Sequence, residues 1–156
     1  MKHPEKIIIF DLDGTLIDSS EGILTSFKKA FEKCNVKLKI KPNREIIGPP
    51  LNKTLSLLSG SSDPEILLKL RESFQEVYDN EGLFLTKPFK GIDEMLETLH
   101  CRSFEMYIAT NKRIAPSLKI ISHLGWSKYF SDVCSLDSFD KNLETKEEVI
   151  NQLISS

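Results

Sequence analysis

Two carboxylates spaced two residues apart, Asp11 and Asp13, follow directly on the apolar run Ile7-Ile8-Ile9-Phe10 and lead into Gly14 and Thr15. Four consecutive apolar residues, three of them β-branched, fit a strand buried on both faces of a parallel sheet. Gly14 lets the chain turn sharply where that strand stops. In open α/β sheets ligands bind at the carboxyl ends of the strands, so two acids placed there would point toward a common ligand. An Asx turn closing a strand is the plain alternative. The buried strand, the glycine and the threonine together weigh against it.

Three further positions complete a candidate constellation. Thr110 ends a second apolar run, Phe104 to Thr110, and Asn111-Lys112 opens the next predicted helix, whose unpaired N–H groups favour an anion. A phosphate would fit between these strand ends. Lys146, at the start of the last predicted helix, would bring positive charge to the same edge if the third strand runs parallel to the first two. Taken singly, Thr110 reads as ordinary β-propensity, and Lys146, among Glu144, Thr145, Glu147 and Glu148, as part of a solvated helix face.

The elements that must position these residues can be read along the chain. Asp18-Ser19-Ser20-Glu21 has capping-box spacing with Asp18 as N-cap, and Ile23, Leu24, Phe27, Ala30, Phe31 and Cys34 repeat at helical intervals. A shorter helix is expected over Leu51 to Leu58, after Gly48-Pro49-Pro50. Asp63-Pro64-Glu65 supplies an N-cap, a first-turn proline and an acid ahead of Leu67, Leu70, Phe74, Val77 and Tyr78. No strand is expected between the first one and Pro88. Beyond Pro88, helix and strand alternate: a helix over Gly91 to Leu99, the Phe104–Thr110 strand, a helix over Lys112 to Leu124 and a weaker strand over Phe130 to Leu136. In the Lys112 helix, Ile114, Leu118, Ile121 and Leu124 face inward. The last helix runs from Lys146 to Ile154. This order predicts an α/β fold: a Rossmann-like parallel sheet with helices inserted after the first strand. The expected division is a core of residues 1–16 and 88–156 with a helical insertion at 17–87.

Composition narrows the function classes. The 156 residues carry 40% hydrophobic and 28% charged side chains and a formal net charge of -2, with an isoelectric point near 6.0. That balance gives no general attraction to nucleic acid or anionic lipid, so neither is an expected partner. The N-terminus leads straight into a four-residue apolar run, too short for a signal peptide, and no apolar run approaches a membrane span, so a cytoplasmic location is expected. Cys34, Cys101 and Cys134 lack metal-ligand or disulfide spacing and read as buried or half-buried residues. His3, His100 and His123 read as surface or boundary residues. Trp126, Tyr129 and Phe130 read as closing the core, and Lys37 to Arg44 as a solvated basic loop.

Asp11-Leu12-Asp13-Gly14-Thr15-Leu16 resembles the first motif of the haloacid dehalogenase superfamily, whose members are mostly phosphatases. Ile108-Ala109-Thr110-Asn111-Lys112 resembles its second motif, and Lys146 falls where the third-motif lysine belongs. Ile47-Gly48-Pro49-Pro50-Leu51 and Lys87-Pro88-Phe89-Lys90-Gly91-Ile92 are similar to the phosphoglycolate phosphatase-like branch, and the helical insertion is similar to the family's small cap. The resemblance implies a Mg2+-dependent phosphatase for a small phosphorylated metabolite, a phosphoglycolate-like phosphomonoester. Asp11 would be nucleophile and metal ligand, forming an aspartyl-phosphate. Asp13 would move protons and also serve the metal through its backbone carbonyl. Thr110 and the Asn111 N–H would hold phosphoryl oxygens, and Lys146 would offset charge on the nucleophile and the transferring group.

The family's fourth, acidic motif lies beyond the third, and no counterpart follows Lys146 here; Asp137 and Asp140 precede it and read as loop residues. The expectation is therefore a core incomplete at its C-terminus, with Ile7 to Phe10 as an exposed sheet edge open to self-association. A second reading follows. The chain would be a catalytically impaired fragment acting as a phosphate-binding or protein-interaction module.

Overall fold

The computed structural model describes residues 6–140 and 143–155, so His3 lies outside the described residues. The chain divides into two compact units, one formed by Met1–Asp18 with Lys87–Ser156, the other by Ser19–Thr86.

In the first unit, strands β1 (Ile7–Phe10), β2 (Ile17–Asp18), β3 (Lys87–Pro88), β4 (Glu105–Thr110) and β5 (Asp132–Ser135) form two sheets. The main sheet has the order β1-β4-β5 and is parallel throughout, with Phe10 opposite Ile108 and Thr110 opposite Ser135. This register brings the carboxyl ends of all three strands to one edge. The small sheet pairs β2 with β3 antiparallel, Ile17 opposite Pro88. Neither two-residue strand is expected from the sequence, because two residues carry no readable period.

The pairing of β2 also corrects the expected helix cap. Asp18 opposes Lys87 in the ladder, and helix α1 (Ser20–Cys34) starts after Ser19 without a side-chain cap bond. Asp18 is drawn into extended backbone, and the N-cap position passes to Ser19.

The parallel sheet is covered by helices supplied from between and after its strands. Helix α6 (Lys146–Ile154) lays Val149 against Ala109 and Cys134, and Ile9, Leu136, Phe139, Leu143, Ile150 and Leu153 pack around them. Alternation along the strands explains the grouping, since register partners share a face. Met106 and Ile108, pointing the other way along β4, are fully buried. Among the described residues β1 is an edge strand, and Ile7 is half exposed there.

Helices α4 (Ile92–Cys101) and α5 (Ile114–His123) precede and follow β4. In α5 the buried residues are Pro116, Ser117, Ile120 and Ile121, while Leu118 is exposed. The apolar residues of α5 fit more than one face, and packing selects the one centred on Ile120. Trp126 is buried and donates its indole N–H to Asp93 at 2.7 Å, closing the core as expected. Tyr129 instead hydrogen-bonds Glu97, and Cys101 is exposed whereas Cys34 and Cys134 are buried.

The second unit is helical. Helices α1, α2 (Leu51–Ser59) and α3 (Pro64–Asn80) follow one another, and the 3-10 turn Gly82–Leu85 packs against α1. Asp63 caps α3 by accepting from the Glu65 N–H at 2.9 Å, as its sequence signature predicts. Phe27 of α1 meets Phe74 of α3 with ring centroids 4.5 Å apart. Gly22 and Gly82 let backbones approach closely: a Cβ at Gly22 would sit 1.9 Å from the Gly82 carbonyl oxygen.

Candidate active site

Asp11 is the first residue after β1, and the loop beyond it is tightly wound. The Leu12 carbonyl accepts from the N–H groups of Leu16 (3.0 Å) and Ile17 (3.2 Å), and Gly14 donates to the Ile17 carbonyl at 2.9 Å. Leu12, Leu16 and Ile17 are fully buried and anchor the turn, while Gly14 takes φ +77°, a left-handed conformation that suits glycine. Asp11 and Asp13 stay partly exposed between these anchors. The sequence D-x-D-G thus fixes the backbone and leaves the acids accessible.

Thr110, on the last residue of β4, is buried, and its Oγ1 accepts from the Lys112 N–H at 3.1 Å. That bond uses the hydroxyl as acceptor, so its proton can be given to another oxygen. Asn111 follows on an exposed turn.

Lys146 is brought to the same edge from the far end of the chain. Thr145 caps α6 by accepting from the Glu148 N–H at 3.2 Å, and Glu148 reaches back to the Thr145 N–H, a complete capping box. The cap fixes where α6 begins, and Lys146 is its first residue. From there its Nζ lies 2.6 Å from Asp11 Oδ1. The Leu12 N–H donates to the same oxygen at 2.9 Å. Both contacts fall on Oδ1 and orient the carboxylate, with Oδ2 outside both of them.

Asp13 is attended by a different cation. Lys112 Nζ lies 3.4 Å from Asp13 Oδ1. Two carboxylates thus face two ammonium groups. The structure brings Asp11 together with Lys146 and Thr110 together with Lys112, all at the carboxyl edge of one sheet.

Two features differ from the sequence expectation. Helix α5 starts at Ile114, so Asn111 and Lys112 lie in the turn before it, and the Ile114 N–H is taken by Asp137 Oδ1 at 2.9 Å. A carboxylate of the chain therefore occupies the helix end where the sequence suggested an external anion. Asp137 also accepts from the buried Ser135 hydroxyl, tying the end of β5 to the start of α5. That role has no signal in local sequence, since its partner lies 23 residues away.

Metal-binding capacity rests on the same acids. No group of three or more His, Cys, Asp or Glu side chains gathers in metal-binding geometry among the described residues. Asp11 and Asp13 supply two hard oxygen donors, which suits an ion such as Mg2+ that is held by one or two carboxylates and retains several waters.

Comparison with known proteins accords with this geometry. The family model described as haloacid dehalogenase-like hydrolase matches residues 8–155. Pyrophosphatase PpaX of Halalkalibacterium halodurans is 31% identical over 150 residues, covering 94% of this chain and 68% of that protein. Phosphoglycolate phosphatase of Vibrio parahaemolyticus is 31% identical over 143 residues, covering 86% of this chain and 62% of that protein. A haloacid dehalogenase-like hydrolase structure from Streptococcus pneumoniae superposes with a TM-score of 0.79 at 26% identity, covering 96% of this chain and 69% of that one. The chain thus spans roughly two thirds of each relative, and it belongs to the haloacid dehalogenase-like hydrolase family.

Proposed function

We propose that the protein hydrolyses phosphomonoesters of small metabolites through a phosphorylated Asp11. The observation that carries this reading is the Lys146–Asp11 contact of 2.6 Å, which aligns a carboxylate between an ammonium group and the edge where a phosphate would enter. Asp11 Oδ2 attacks phosphorus, and the bond to the ester oxygen breaks. Asp13 gives that oxygen a proton, and the alcohol leaves. Asp13 then takes a proton from water as the water oxygen attacks phosphorus and Asp11 is released. Thr110 and the Asn111 N–H hold phosphoryl oxygens, while Lys146 offsets their charge.

With Asp13 carrying the proton it donates, Lys112 and Lys146 face one carboxylate, so an incoming phosphate dianion still leaves the site with excess negative charge. The Asp11 carboxylate and the Asp13 backbone carbonyl would hold a Mg2+ ion, which would supply the balancing positive charge when bound. Phosphoglycolate and comparably small phosphomonoesters are the substrate class, in keeping with the phosphoglycolate phosphatase among the relatives. The helical unit is read as the part that selects among them. Three free thiols accord with a cytoplasmic setting.

The test is hydrolysis of phosphoglycolate and p-nitrophenyl phosphate by the protein and by Asp11→Asn, with Mg2+ or EDTA. Turnover lost in Asp11→Asn and in EDTA, with phosphate trapped on Asp11 by mass spectrometry, is the expected result. Turnover retained by Asp11→Asn overturns the nucleophile assignment, and turnover in EDTA overturns the metal.

A further inference from the structure

The two lysines at the sheet edge divide between the two acids. Lys146 contacts Asp11 at 2.6 Å, whereas the Lys112 ammonium lies beside Asp13, 3.4 Å from Oδ1. The Lys112 side chain is only 11% exposed, against 30% for Asp13. Withdrawing an ammonium from water is costly without an anion beside it, and the Asp13 carboxylate supplies such an anion. Its backbone is also held, because the Lys112 N–H donates to Thr110 Oγ1 at 3.1 Å. One residue is thus bonded through its main chain to the threonine of the phosphate site and through its side chain to the second acid.

We propose that Lys112 is a positioning residue that fixes Asp13 for proton transfer to the leaving group. An ammonium group donates and cannot accept. The carboxyl oxygen facing it, Oδ1, is therefore the unfavourable place for a proton, and the proton of the acid form sits on Oδ2. The contact also restrains rotation of the carboxyl group. In the first displacement the Oδ2 proton passes to the ester oxygen as the P–O bond breaks and its electron pair stays on that oxygen. Because Lys112 is tethered to Thr110, the acid is registered to the phosphoryl group it serves. Misplacement of a catalytic group by about 1 Å costs about 100-fold, so removal of the tether is expected to be felt at this step.

This inference rests on Asp13 being the general acid, and the experiment separates the two. kcat/KM, which reports formation of the phosphorylated enzyme, is measured for p-nitrophenyl phosphate, whose leaving group departs without a proton, and for an alkyl phosphomonoester, whose leaving group needs one. Lys112→Met is expected to lose about 30-fold or more on the alkyl ester and under about five-fold on p-nitrophenyl phosphate, and Lys112→Arg to recover most of the loss. An equal loss on both substrates, or a rise in KM alone on both, overturns the proposal by making Lys112 a structural or phosphate-binding residue. No loss on either also overturns it. Asp13→Asn is the control. If it shows the substrate-dependent loss and Lys112→Met does not, the positioning role fails alone; if Asp13→Asn shows none, the general-acid reading fails first. Lys112→Gln, which keeps polarity and most of the stem, serves the same comparison if the Met variant does not fold.

Discussion

Replacing Lys146 by methionine separates what its ion pair does for folding from what it does for chemistry. At 2.6 Å from Asp11 Oδ1, the bare Coulomb attraction is about 2 kcal/mol in water and about 6 kcal/mol at an effective dielectric constant of 20. The Lys146 and Asp11 side chains are 30% and 40% exposed, so solvent screening and the ordering of a long side chain reduce the net contribution to about 1 kcal/mol or less. For a chain of 156 residues that corresponds to a fall in Tm of about 2–4 °C. Catalysis is another matter, because removing one preorganised group that meets charge developing on the transferring phosphoryl costs about 3–4 kcal/mol, or about 10²–10³ in rate. Thermal melts followed by circular dichroism, beside phosphomonoester hydrolysis with Mg2+, give both numbers on one preparation. Lys146→Arg retains the charge and should recover part of the rate. A Tm lowered by more than about 10 °C with activity kept within ten-fold of the parent would refute the reasoning and make the pair a structural brace.

Two other outcomes follow from packing and burial. Gly22→Ala places a methyl group 1.9 Å from the Gly82 carbonyl oxygen, forcing α1 and the 3-10 turn apart; a loss of about 1–3 kcal/mol or more in denaturant unfolding is expected, and an unchanged midpoint would contradict the packing. Burial, with the neighbouring Asp132 carboxylate adding to it, pushes the Cys134 thiol up to about 11, while Cys101 is exposed. Iodoacetamide at pH 8 should therefore label Cys101 and spare Cys134, with mass spectrometry locating the adduct. The sign for stability follows: between the ordinary thiol range and about 11 the folded state holds a proton that the unfolded state has lost, so this group favours folding less as pH rises through that window.

How far the sequence foretells the structure depends on the range of the interaction. The β1 run, the Asp63 cap of α3 and the start of α6 at Lys146 rest on neighbours in the chain, and their signals are plain. The Thr145-to-Glu148 spacing is a readable cap signature as well, and it explains why Lys146 projects from a fixed point. Where two local preferences compete, tertiary contact decides: Asp18 joins β2 opposite Lys87 and the N-cap position of α1 falls to Ser19, and Leu118 turns outward because the buried face of α5 is centred on Ile120. Wholly non-local pairings leave no local trace. The Asp137 carboxylate on the Ile114 N–H and the Lys112 ammonium beside Asp13 depend on how strand ends meet, and no periodicity encodes that. The sequence names Asp11, Asp13, Thr110 and Lys146; their assignment to partners comes from the fold.

The Asp11–Lys146 contact joins residues 135 positions apart, and this separation bears on when the site comes into being. Closing so long a loop costs only slowly increasing entropy, since the penalty grows with the logarithm of length. The delay is in time, because a chain made at about 5–20 residues per second needs at least several seconds between the emergence of one partner and the other. During that interval the first strand and its acids can exist without their lysine. Asp11 is therefore aligned only after β4, β5 and α6 have taken their places, and acquisition of activity on refolding should report the last step of core assembly.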